Sequence, residues 1–175
     1  MEAGDILFGR RIRQNHALEH ATVTILSREK PNLSCSARSN SHGFTIYADL
    51  DPNWVKHACD EALARLCAGE AELAIHPNCG TNLAVGTSLA MVGSLLALTA
   101  MRPRMRLASA LASSLAGIVV ARPLGQVVQR HVTTLPDLNG VRIVRVRQKR
   151  LFGRNVVEVL TGCESGSWSH VDIVE

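Results

Sequence analysis

Ile12, His16, Glu19, Val23 and Leu26 recur at helical spacing, with His20 at the edge of their stripe. That pattern predicts a first helix over residues 9–28 with one face turned toward the protein. Pro31-Asn32 breaks it. Phe44, Ile46 and Ala48 then alternate with Thr45, Tyr47 and Asp49, so residues 34–38 and 43–50 read as a β-hairpin around residues 39–43. Asp51-Pro52 opens a second helix, as an N-cap followed by proline at the first helical position. Val55, Ala58, Cys59, Ala62 and Leu66 form its apolar stripe, and Gly69 stops it.

The pattern then changes character. Residues 77–101 carry no charge over 25 positions, and residues 107–121 carry none over 15. Between them lies Arg102-Pro103-Arg104-Met105-Arg106, a basic turn with a helix breaker, and Arg122-Pro123 ends the second run. A mostly apolar run of about 18 residues suffices to cross a bilayer. Two runs joined by so short a turn predict a transmembrane helical hairpin. The second run is short for a full crossing, although Arg122 can snorkel. Ala108, Ala112 and Ala116 recur every fourth position, as do Ser109, Ser113 and Gly117, a spacing that lets helices approach closely in lipid. The competing expectation is a hairpin buried in a soluble protein or oligomer.

Beyond the hairpin, residues 141–146 and 155–160 read as two strands around Phe152-Gly153, with several arginines on one face. The whole predicts an α+β fold in three parts. Residues 1–80 form an α+β domain, 81–124 an inserted transmembrane hairpin, and 125–175 a C-terminal β-hairpin region completing the soluble domain. The tail, with Trp168 and His170, assigns itself no role.

Composition narrows the function classes. Hydrophobic residues make up 46% of the 175 but aromatic ones only 3%, so alanine, leucine and valine must build the core. The net charge is +4, and the 19 basic residues are spread along the chain rather than clustered, which argues against a nucleic-acid partner. Five cysteines without a C-x-x-C pair argue against a disulfide framework and for a reducing compartment. The amino terminus, with Glu2 and Asp5, predicts no signal peptide. The positive-inside rule draws the basic turn to the cytoplasm, whereas the free cysteines and Arg-rich flanks draw the ends there. The expectation adopted is a bacterial inner membrane with the soluble parts on its cytoplasmic side.

The most definite chemistry lies in His16-Ala17-Leu18-Glu19-His20. Histidines four apart on a helix lie one above the other, so both rings can reach one metal ion, zinc being the leading choice. Glu19 shares their face and can act as general base toward a water at an open coordination position. The bland alternative is a structural His/Glu network. A second cluster, His76-Pro77-Asn78-Cys79-Gly80, sits just before the first uncharged run, where a proline turn brings His and Cys close together. Glu70, His76 and Cys79 are the third-ligand candidates. A cysteine there would give a more closed, structural site, and a carboxylate a more catalytic one. His42 and His57 read as solvated, and His131 as a weak haem-ligand candidate.

H-x-x-E-H is the signature of the inverzincin peptidases, and residues 10–75 resemble the pitrilysin and insulin-degrading class in order: motif helix, strands, second helix. That resemblance implies zinc held by His16 and His20, and a glutamate ligand from the second helix, with Glu61 in it and Glu70 just after it. Most of the chain also resembles an uncharacterised family of small bacterial membrane proteins, through Asn15-His16-Ala17-Leu18-Glu19-His20-Ala21 and His76-Pro77-Asn78-Cys79-Gly80-Thr81-Asn82. The expected function is a membrane-anchored zinc metallopeptidase acting on a peptide or membrane-protein substrate at the lipid surface. The rival is a non-enzymatic metal-binding subunit or assembly factor, in a homo-oligomer or membrane complex.

Overall fold

The inward-facing stripe of the first helix forms α1 (Arg10–Glu29), where Leu18, Ala21, Ile25 and Leu26 are buried. Less usually for a helix of a small domain, Arg13, Gln14, Asn15, Glu19 and His20 are buried with them. These positions come from a computed structural model, which describes residues 8–163. Glu2 and Asp5 of the amino terminus and Trp168 and His170 of the tail lie outside the described residues.

Helix α1 packs on an antiparallel sheet of order β1-β2-β4-β3, made of β1 (Ser36–Asn40), β2 (Gly43–Tyr47), β3 (Val141–Leu151) and β4 (Arg154–Cys163). Residues from both ends of the chain thus share one sheet. Phe44 faces Val159 and Ile46 faces Val157 across β2 and β4, and all four belong to a single core with α1 and α2 (Pro52–Cys67). Helix α2 starts as its sequence predicts, with the Asp51 carboxylate accepting from the Asn53 N–H at 2.9 Å. Val55, Ala58, Cys59, Ala62 and Leu66 are its buried stripe, and Gly69 turns the chain at φ +95 into a 3-10 turn, Ala71–Ala74.

Strands β3 and β4 run further than apolar alternation predicts, whereas β1 is shifted by two residues and β2 ends at Tyr47, short of the expected 50. The first hairpin closes over Ser41-His42 alone, pairing Asn40 with Gly43. Strands β3 and β4 continue to a two-residue turn at Phe152-Gly153, both at positive φ. The added length is polar: Glu158 of β4 pairs with Arg147 at 2.6 Å and Lys149 at 3.3 Å across the outer sheet face. These charges satisfy the strand's exposed side without any apolar signal.

Helices α3 (Gly80–Ala100) and α4 (Arg106–Val128) form the hairpin, and both are long and apolar enough to cross a membrane. At 1.5 Å per residue, α3 is on the order of 30 Å long, the thickness of bilayer hydrocarbon. The hairpin is not the core of this chain. Leu83, Met91, Leu107, Leu115, Ile118 and Val119 are exposed, while the buried positions are Asn82, Gly86 and Ala97 on α3 and Ala110, Gly117 and Gly125 on α4. Of the two predicted small-residue stripes, Ser109, Ser113 and Gly117 turn toward α3, whereas Ala108, Ala112 and Ala116 are exposed. A Cβ on Gly117 would meet the Ala90 nitrogen at 2.8 Å, so glycine sets the closeness of the two backbones. Ser94 and Ser114 are hydrogen-bonded across the pair at 2.7 Å.

Contrary to the expected stop at Arg122-Pro123, α4 runs on through Pro123 to Val128. Proline forfeits one helical hydrogen bond, but the next turn is held from the other side. Gly125 lies against Asn82, and Gln129 is bonded to Asn82 and to the His76 backbone. A π-helical turn, Gln129–Thr133, then leads back to the sheet.

Candidate metal centre

His16 and His20 sit one turn apart on α1, their ring centroids 4.3 Å apart in an edge-to-face arrangement. His16 Nδ1 lies 3.0 Å from the Thr133 carbonyl, and His20 Nδ1 lies 2.7 Å from the Ala74 carbonyl. A carbonyl can only accept, so each ring donates its Nδ1–H, which leaves Nε2 as the atom a metal would use. Such backbone partners fix tautomer and ring direction in metal-ligating histidines.

The third member is Cys79, the N-cap of α3, whose Sγ lies 3.5 Å from His16 Nε2. The candidate ligand atoms of His16, His20 and Cys79 all fall within 4.8 Å of one another, so the cluster could hold a metal ion. The donor chemistry fits one: two imidazoles offering Nε2 and a thiol are ligands of borderline-soft divalent ions. Burial alone would raise the Cys79 thiol. The His20 ring and the Thr81 hydroxyl and N–H outweigh it and bring the thiol below its ordinary value.

A buried amide relay holds the Cys79 loop in place. The His76 N–H donates to Gln129 Oε1 at 2.9 Å, Gln129 Nε2 donates to Asn82 Oδ1 at 2.7 Å, and Asn82 Nδ2 donates to the Pro77 carbonyl at 2.7 Å. Gln129 is fully buried, and its own carbonyl accepts from the Thr134 N–H and hydroxyl. The relay leaves no room beside Asn82: a Cβ at Gly125 would stand 2.1 Å from Asn82 Oδ1. Asn15 plays a similar part on α1, donating to the Asn40 carbonyl at 2.8 Å and accepting from the Thr161 hydroxyl at 2.6 Å. Thus α1 is pinned to β1 and β4, and the Cys79 loop to the end of α4.

Glu19 shares the groove that exposes the cluster, and is itself only 7% exposed. Burial pushes its carboxyl above the ordinary value, against a hydrogen bond from the Ser39 hydroxyl and the nearby His16 charge. The groove is open, about 1350 Å³, and runs from α1 and β1 to the first turns of α3, where Ala84, Val85 and Leu89 line it.

The remaining candidates stand elsewhere. The His76 ring is 5.8 Å from His20, and its Nδ1 accepts from the Asn78 N–H at 3.3 Å, so it borders the cluster without joining it. Burial and the His20 charge lower its pKa. Glu70 binds Arg65 through both oxygens at the surface, which holds its carboxyl below the ordinary range, and Glu61 binds the same arginine at 3.1 Å. Neither is brought to the histidines. His42, His57 and His131 are exposed. Ser39, Gln129 and the carbonyls of Ala74 and Thr133 were invisible to sequence reading, and Asn82 was visible only as part of a motif.

Residues 11–146 match a family described as a domain of unknown function, DUF6391. The chain belongs to that family. The matched span holds His16, Glu19, His20, Cys79, Asn82, Gln129 and Thr133, so the whole candidate centre falls inside the DUF6391 domain. An uncharacterised protein of Picosynechococcus sp. (strain PCC 7002) is 34% identical over 139 residues, covering 73% of this chain and 68% of that protein. No solved structure matches this DUF6391 chain.

Proposed function

We propose that this DUF6391 protein is a membrane-anchored zinc metallopeptidase that hydrolyses peptide bonds at the lipid surface. The observation that carries the reading is the convergence of three protein ligand atoms in an open groove that also holds a buried carboxylate. Catalytic zinc sites use three protein ligands and keep a fourth position open, whereas structural ones recruit four. When bound, the ion would polarise a substrate carbonyl and make a water at the open position more acidic. Glu19 would take that water's proton and return it to the leaving amine, a role that suits a carboxyl whose pKa burial raises. The Ser39 hydroxyl holds the carboxylate, and the Ala74 and Thr133 carbonyls orient the two rings. The local resemblance of residues 10–75 to inverzincins supports the same roles for His16, Glu19 and His20. That class takes its third ligand, a glutamate, from the second helix, whereas here the third ligand atom belongs to Cys79 at the start of α3.

The exposed apolar surface of α3 and α4 supports insertion in a bacterial inner membrane, and the five free cysteines support a cytoplasmic face for the α+β part. Two observations favour a second reading, a metal-binding subunit of a membrane complex. The third ligand is the thiol of Cys79 rather than a carboxylate, the choice expected of a more closed, structural site. The ligands come from both α1 and the entrance of α3, so an ion would also fasten the hairpin to the sheet domain. The exposed Ala108, Ala112 and Ala116 stripe is free for a partner helix. The two readings part in one experiment, with zinc-loaded protein in nanodiscs and a single-span peptide bearing a quenched fluorophore pair beside its span. Glu19→Gln that keeps its zinc and loses about 10²- to 10⁴-fold in cleavage supports the peptidase. Cleavage absent from the wild type, or equal in both, supports the structural role.

A further inference from the structure

The open edge of β1 has the form of a docking strand. Among the described residues, β1 stands at the margin of the sheet and pairs with β2 alone. The two-residue connection Ser41-His42 makes Asn40 and Gly43 a hydrogen-bonded pair, so by alternation Ser36 and Arg38 also turn their backbone groups to β2. Ala37 and Ser39 therefore present their N–H and C=O groups to the other side. That side is the groove, because four consecutive residues, Ser36 to Ser39, line it. A strand face would contribute only every second residue. The edge carries few of the usual guards against pairing: no proline, no lysine and a single charge, Arg38.

We propose that this edge receives an extended peptide segment lying directly outside a membrane span, which adds to the sheet as a further strand. The assignment of that segment as substrate rests on the peptidase reading; its docking does not. Three observations point to this occupant. Ser39, within the edge, holds Glu19, so a chain paired along β1 passes the general base. The opposite wall of the groove is uncharged and made by Ala84, Val85 and Leu89, which lie in the first turns of a helix long enough to span a membrane. A segment leaving β1 along that wall continues at the depth of lipid. An acyl chain would leave the Ala37 and Ser39 backbone groups unpaired, whereas a peptide backbone satisfies them.

The test uses the Glu19→Gln chain, zinc-loaded in nanodiscs, so that binding is read without turnover. The probe is a fluorescent peptide with alternating Val and Thr ahead of a Leu-Ala span of about 20 residues. Binding should weaken about tenfold or more when Ala37→Pro removes an outward N–H, a position where an edge strand tolerates proline. It should weaken equally when alternate amides of the peptide are N-methylated, a change that leaves the protein untouched. Zinc content of Ala37→Pro should stay at the parent value. No binding, binding indifferent to both changes, or an Ala37→Pro effect on self-association instead of peptide binding overturns the proposal. Edge-dependent binding of a peptide that the Glu19 chain leaves intact keeps the docking strand and removes the peptidase. Glu19-dependent cleavage indifferent to Ala37→Pro and N-methylation does the reverse.

Discussion

Helix α1 buries Arg13, Gln14, Asn15, Glu19 and His20, while α3 exposes Leu83, Met91, Leu95 and Leu96. Both helices deliver a ligand atom to the same cluster, yet their surroundings invert each other. Around α1 the apolar side chains are hidden, and the buried Asn15, Glu19 and His20 each have a specific partner, because an unmatched polar group would cost about 1–3 kcal/mol. Around α3 the hidden groups are glycine, alanine, serine and an amide, contacts of the kind that hold two apolar helices together by close packing and hydrogen bonding. Cys79, at the boundary, takes its partners from both sides: histidines of α1 and the first turn of α3. The centre is thus built where the two sets of packing rules meet, and its geometry depends on both.

The largest effect that would sharpen this contrast comes from one chemical change made in both regions. Leu18→Ala, in the closed core, should cost about 2–5 kcal/mol of unfolding free energy. Leu107→Ala, at a position 70% exposed on α4, should stay within about 0.5 kcal/mol, both read by denaturant unfolding in micelles. Equal losses would mean that the hairpin is covered by protein rather than lipid.

Thiol reactivity tests the boundary itself. Burial pushes the Cys59 thiol up to about 12, while Cys79 lies below its ordinary value and lines the groove. In metal-free protein near neutral pH, Cys79 should alkylate faster than Cys59 by about 100-fold or more, and zinc should protect it. Peptide mass mapping of iodoacetamide-treated protein reads both rates. Protection of Cys59 but not Cys79 by zinc would place the ion elsewhere.

How much of this was legible in the sequence follows from distance along the chain. The α1 stripe, the Asp51-Pro52 helix start, the first hairpin and the two uncharged runs all write themselves locally, with a period or a cap. His16 and His20 were legible for the same reason, being four residues apart. Their choice of partner was not. Cys79 is 63 residues from His16, and the Thr133 carbonyl is 117. No periodicity records which of Glu70, His76 and Cys79 arrives, and Arg65, five residues from Glu70, claims that carboxylate instead. The helix beyond Pro123 was illegible because what sustains it, the Asn82 and Gln129 relay, joins positions 47 apart. The polar ends of β3 and β4 were missed because ion pairs rather than apolar alternation extend them.

The smallest expected effect lies on that outer sheet face. Partial burial would raise the Glu158 carboxyl, but Arg147 and Lys149 outweigh it and hold it below the ordinary value of 4.5. Because the folded value is the lower one, the contribution is present above pH 4.5 and is lost as pH falls through the folded value. Glu158→Gln should therefore destabilise by at most about 1 kcal/mol at neutral pH, less in high salt and not at all in acid. Thermal unfolding across that pH range checks the sign, and a loss that grows in acid would refute the pairing.

The most direct measurement is metal content, by mass spectrometry, of protein purified without chelators, with wild type beside His20→Ala and Cys79→Ser. The account predicts one zinc per chain in the wild type and loss of it in both variants, with Glu70→Ala unchanged. Metal-free wild type, or zinc retained in both variants, would contradict a centre shared between α1 and the entrance to the hairpin.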